Sequence, residues 1–138
     1  MEHRRVILSV KPHLARALVE GEKRVEFRRT RPAFGLGDVV YVYATSPVQS
    51  VVGAFTCGAI VEAPPTALWR EYANDSEVTR AFFRDYFNGS RRGYAIEVRE
   101  PQPWSAPVSL DTLREIIPGF QPPRSYRFLS HTLSDGRG

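Results

Sequence analysis

The chain is poor in the residues that build covalent or metal cross-links. Its single cysteine, Cys57, excludes an internal disulfide. Its three histidines, His3, His13 and His131, stand far apart and have no cysteine pair beside them. No structural zinc is therefore expected, and no cluster of acids suggests a two-metal nuclease site. Neither a metal nor another cofactor is expected. Long apolar runs are also missing: nothing approaches the roughly 20 residues of a membrane helix. Arg4 and Arg5 run into only Val6, Ile7 and Leu8, too short a core for a signal segment. These absences predict a cytoplasmic protein with no membrane partner. No repeat, low-complexity tract or linker divides the 138 residues. One domain over 1–130 is expected, with 131–138 as a flexible tail.

Charge is present and unevenly placed. The net charge is +4, with a pI near 9.6. Residues 1–31 hold nine Lys/Arg against four Asp/Glu, while the rest holds ten against eleven. The basic excess thus lies wholly in the first 31 residues. A basic patch is the electrostatic footprint of a phosphate-backbone binder, although many cytosolic proteins are mildly basic.

Apolar periodicity gives the elements. Arg5 to Val10 reads as a strand, with Val6, Ile7, Leu8 and Val10 as its apolar run. Pro12 suits a first helical position, and Leu14, Ala17 and Leu18 then make one stripe at helical spacing. Gly21 is a natural stop. A strand follows at Arg24–Arg29, then a loop carrying Pro32, Gly35 and Gly37. Strands are expected at 39–44 and 51–62, the second marked by Gly53 and Gly58 as a place for bulges or sharp bends. A short helix is read at 66–72 and a longer one from an Asp75 or Ser76 cap to Phe87. A strand at 93–100 leads to a proline-rich loop at 101–107 carrying Trp104. Ser109 caps a helix over 110–117, and 126–129 is a last strand. Strands outnumber helices, and no regular βαβ alternation appears. The fold class is α+β: a small mixed β-barrel with short helices around it.

The densest chemistry lies in Gly21-Glu22-Lys23-Arg24-Val25-Glu26-Phe27-Arg28-Arg29. Strand alternation sends Val25 and Phe27 to one face and Arg24, Glu26 and Arg28 to the other. A charged edge strand guarded against aggregation explains such a stretch; so does a cationic site oriented by one acid. Lys23 serves as a phosphate contact, a base-edge donor, a reactive amine or a structural ion-pair partner, and the residues alone leave all four open. A reactive lysine needs its pKa lowered by burial or by cationic neighbours. Glu26 pairs with Lys23 or Arg28, or accepts from a cytosine amino group.

Val10-Lys11-Pro12 followed by Gly21, Lys23, Glu26 and Arg28 resembles the G-x-K-x-x-E-x-R signature of ASCH domains, members of the PUA-like superfamily. The likeness continues through Gly37 to Tyr43, Val52 to Phe55, and Pro118 to Leu129, and so covers nearly the whole chain. It implies a PUA-like barrel whose cleft is lined by the motif. It also implies nucleic acid as partner, most often RNA, held as a single strand or an extruded, modified base. Some relatives are hydrolases: N4-acetylcytidine amidohydrolases and a proposed ribonuclease. In the amidohydrolases the motif lysine matches Lys23. Glu26 stands where they use a threonine, and nothing near Asn74 and Asp75 matches their glutamate.

Three functions follow as expectations. The first is a module binding RNA or another single-stranded nucleic acid in a basic cleft. The second is a metal-independent hydrolase acting on RNA or a nucleoside, with Lys23 and Glu26 catalytic. The third is a domain binding a small anionic ligand. Candidate nucleic-acid contacts are Lys11, Lys23, Glu26, Arg28 and Arg29 from the basic region. Tyr43, Thr45 and Ser46 close the central strand, where Tyr43 stacks on a base or fills the core. Trp104 is a lid or a local plug. Arg124, Ser125 and Arg127 form a second basic cluster. Cys57 is expected to be a buried, inert thiol.

Overall fold

The computed structural model describes residues 2–137. Six strands, β1 (Arg5–Val10), β2 (Val25–Arg28), β3 (Val39–Ala44), β4 (Ser50–Ala63), β5 (Gly93–Ser109) and β6 (Tyr126–Leu129), form one sheet. Its order is β2-β5-β4-β3-β1-β6. Strands β1 and β3 run parallel and the other neighbours antiparallel. Four short helices accompany it: α1 (Pro12–Val19), α2 (Pro65–Tyr72), α3 (Arg80–Tyr86) and α4 (Leu110–Ile116). The sheet curls into a half-barrel, the mixed α+β architecture expected from the strand pattern.

The curl has a local cause. Strands β4 and β5 slip register between Val51 and Gly53, between Ala54 and Thr56, and between Cys57 and Ile60. Each bulge bends the strand and increases its twist. Gly53 permits the closest approach: a Cβ there would lie 2.3 Å from the Gln102 carbonyl oxygen.

Alternation along the strands sorts side chains into layers. Val6, Leu8 and Val10 of β1 join Val40 and Val42 of β3, with Leu14 and Leu18 of α1 over them. The opposite parity, Ile7, Tyr41 and Tyr43, packs with Leu113 of α4, Phe120 and Leu133. A third cluster joins Val25 and Phe27 of β2 to Leu68 of α2 and to Phe83 and Phe87.

Two sequence expectations change. Residues 101–107 are not a loop but the second half of β5. Strand β2 pairs with residues 94–97, and Arg24 O also accepts from Val98 N–H, so from residue 99 onward β5 has no strand on that side. Prolines at 101, 103 and 107 fit a strand with such an open edge. The helix expected from Asp75 or Ser76 begins at Arg80. Ser76 turns inward and its hydroxyl donates to the Ala73 carbonyl, while Glu77 takes a left-handed φ of 55°. Thr79 caps the helix instead, its hydroxyl oxygen accepting from the Phe82 N–H at 3.1 Å.

The end of the chain reads as a tail, yet its described part is tied down. Leu133 is buried, and its N–H donates to the Tyr41 hydroxyl at 2.9 Å. Asp135 accepts from Ser105 and Ala106 N–H groups on β5.

The tight β4–β5 crossing is testable. Gly53→Ala drives a methyl into backbone that has little room to retreat, so urea unfolding should show a loss of about 1–3 kcal/mol. An unchanged midpoint would contradict this packing.

Candidate functional site

The site starts at the end of α1. Gly21 has φ +82°, which suits glycine. Glu22 N–H donates to Ala17 O at 3.0 Å and Gly21 N–H to Leu18 O at 3.3 Å, the two bonds of a Schellman cap. Lys23 N–H also reaches Ala17 O. This cap turns the chain back, and Lys23 lands inside the protein with 1% of its surface exposed.

Three charged side chains then converge. Lys23 Nζ lies 3.6 Å from Glu26 Oε1 and donates to the Ser76 carbonyl. Glu26 Oε2 accepts from Arg28 twice, from Nε at 3.1 Å and from Nη2 at 2.6 Å. Arg28 also donates to the Ser9 carbonyl at 3.2 Å and to the Ser125 hydroxyl at 3.3 Å. Glu26 is itself 6% exposed. Burial pushes the Lys23 pKa down from 10.5; the facing Glu26 carboxylate opposes that shift and the nearby Arg28 adds to it.

These groups form one end of a pocket of about 160 Å³. Its other walls are apolar and aromatic: Leu14, Phe27, Val78, Phe82, Phe83 and Tyr86. Phe82 and Tyr86 lie nearly parallel, 6° apart with centroids at 6.3 Å. Two cations cover this rim. Lys11 Nζ sits 5.4 Å from the Phe82 centroid, and the Arg29 guanidinium sits 4.7 Å from that of Tyr86.

The candidates from the sequence thus divide. Lys11, Lys23, Glu26 and Arg28 line the pocket, with Arg29 on its rim and Ser125 bonded to Arg28. Tyr43 lies apart, 2% exposed in the layer with α4 and Phe120, where it has no free ring face for a base. Trp104 packs against Tyr41 at 5.9 Å and so plugs that same layer. Arg127 stacks over Phe120. Thr45, Ser46 and Arg124 do not line the pocket. Cys57 is buried, and burial holds its thiol up at about 12. Among the described residues, no three His, Cys, Asp or Glu gather as metal ligands, and no helix is long and apolar enough to cross a membrane.

The family model described as the ASCH domain matches residues 8–103. The chain belongs to the ASCH domain family. It is 38% identical over 128 residues to an ASCH domain-containing ribonuclease of Zymomonas mobilis, covering 93% of this chain and 86% of that protein. The crystal structure of ASCH from Zymomonas mobilis superposes with a TM-score of 0.89 at 38% identity, over 93% of this chain and 89% of that one. The N-terminal domain of Staphylothermus marinus McrB shares the fold alone, at a TM-score of 0.54 and 14% identity, over 86% of this chain and 83% of that one.

Several residues that build this ASCH pocket escape a sequence reading. Ser76 contributes only the carbonyl that accepts from Lys23, while Val78 comes from the turn before α3, and Phe82, Phe83 and Tyr86 from α3 itself. Their spacing marks an apolar helix side, which is equally the mark of core packing. The clue is the 38% exposure of Phe82, which no sequence shows.

The triad predicts a linked titration. In the folded protein Lys23 gives up its proton below 10.5. In the window between its lowered folded pKa and 10.5, the unfolded chain holds more protons, so this group makes stability rise with pH. Below that window its contribution is flat. Glu26→Gln removes the group that favours the ammonium, so Lys23 should titrate lower still, and the fold should lose about 3 kcal/mol. An NMR titration of the Lys23 ammonium, with urea unfolding of both proteins, checks this. A Lys23 pKa at or above 10.5 in the parent would contradict it.

Proposed function

We propose that this ASCH domain binds single-stranded RNA and draws one base into the pocket. The observation that carries the reading is the buried Glu26 carboxylate, held between Lys23 and Arg28 at the end of an aromatic-walled hollow. At about 160 Å³ the hollow falls below the roughly 300–1,000 Å³ of drug-sized sites. It suits one ring rather than a whole nucleotide. Aromatic walls accept any base face, and a fixed carboxylate accepts from an exocyclic amino group. Lys11 and Arg29 on the rim supply positive charge where a backbone phosphate would lie. The Zymomonas relative, called a ribonuclease, favours RNA as the polymer.

A second reading, hydrolysis of that RNA, is favoured by the same relative and by Lys23. A lysine whose proton affinity is lowered by burial is a candidate base. Its Nζ is turned toward Glu26 and Ser76, so it acts on a ribose only if the substrate enters the pocket.

Fluorescence anisotropy with eight-nucleotide RNA and DNA across salt concentrations tests the first reading. Log affinity should fall linearly with log salt, and Lys11→Ala should make the slope shallower by about 0.7. Phe82→Ala should weaken binding about tenfold through lost stacking. No binding, or binding indifferent to salt, overturns it. End-labelled RNA incubated with chelator tests the second: cleavage lost in Lys23→Ala supports it, and intact RNA excludes it.

A further inference from the structure

A second hollow, of about 610 Å³, opens between α2 and α3 on the far side of Phe83. Its size falls within the range of ligand sites. Trp69, Phe83 and Phe87 give it aromatic walls, and Arg70, Arg80 and Arg84 give it charge. No acid lines it. Among the described residues none of these three arginines joins an ion pair, although Arg4, Arg28, Arg31, Arg92 and Arg99 all do. Arg80 and Arg84 stand four residues apart on α3, so they share one helix face. Guanidinium forks beside a tryptophan face suit a phosphate joined to a base.

The two hollows share one wall. Phe83 meets Phe27, which lines the first pocket, with ring centroids 4.9 Å apart. It meets Trp69, which lines the second, also at 4.9 Å. Phe82 and Tyr86 stand on the first-pocket side of α3, with the Arg29 guanidinium over Tyr86, so a strand crossing α3 between the hollows would meet aromatic and cationic groups.

We infer that the α2–α3 hollow is a second nucleotide subsite, taking a base against Trp69 and its phosphate on Arg80 and Arg84. The inference rests on the RNA reading above and extends it from one nucleotide to a strand. It predicts that affinity grows with RNA length until the strand spans both hollows.

The test compares RNAs of two and eight nucleotides on the parent protein and on an Arg80→Ala, Arg84→Ala double variant. Both side chains are exposed, so the fold should tolerate their loss. The dinucleotide, which fills one hollow, should bind both proteins alike. The eight-nucleotide RNA should bind the variant about tenfold more weakly, with a salt slope shallower by about 1.4. In a Trp104→Phe background, where Trp69 is the one remaining tryptophan, the longer RNA alone should quench fluorescence. Equal affinity and equal slope for the longer RNA overturn the subsite while leaving the first pocket standing. Failure of the parent to bind RNA of either length overturns the RNA reading and the subsite with it.

Discussion

Everything at this site depends on one carboxylate kept from water between two cations. Glu26 accepts the Arg28 fork with one oxygen and faces the Lys23 ammonium with the other. Removing such groups from water costs several kcal/mol per ion, and their mutual attraction offsets this only when geometry is good and further hydrogen bonds are made. Here they are made. Ser76, Ser9 and Ser125 take up remaining donors of Lys23 and Arg28. The arrangement also holds the seam of the half-barrel. Strands β2 and β6 lie at opposite ends of the sheet order, yet Arg28 at the end of β2 bonds Ser125, the residue before β6. The same arginine therefore orders the pocket and ties together the two ends of the curled sheet.

Stability alone gives a weak reason for such a triad. A buried ion pair often does no better than well-packed apolar residues of similar volume. What it supplies is a fixed acceptor beside fixed donors, lining a hollow whose other walls are apolar and aromatic. A base presents an apolar face and a polar edge, which is why the proposed function places one in this pocket. Lys11 and Arg29 complete it where the strand would leave, each lying over an aromatic ring. The relation to an ASCH domain-containing ribonuclease, at 38% identity over most of both chains, points the reading toward RNA.

How much of this was legible in the sequence depends on how local each cause is. The Gly21 cap, the alternation of Val25 and Phe27 against Glu26 and Arg28, and the Ser109 cap are decided within a few residues, and each could be read. The bulges in β4 were signalled by Gly53 and Gly58. The Ser76 carbonyl was invisible because it lies 53 residues from Lys23. Aromatic residues divided badly for a related reason. Tyr43 and Phe82 have equally ordinary sequence settings, but one is sealed under α4 and Phe120 while the other stands at the pocket rim. Proline misled at 101–107, since the open side of β5 exists only because β2 is short. The anchoring of Leu133 and Asp135 likewise depends on partners far back in the chain.

The most direct measurement is an amide and side-chain NMR titration of the protein with a short RNA. Shifts should concentrate at Lys11, Lys23, Glu26, Arg28 and the 78–86 segment, with the Arg28 Nε signal moving as its surroundings change. Shifts centred on Tyr43, Trp104 and α4, with the Glu26 triad unmoved, would contradict the RNA reading.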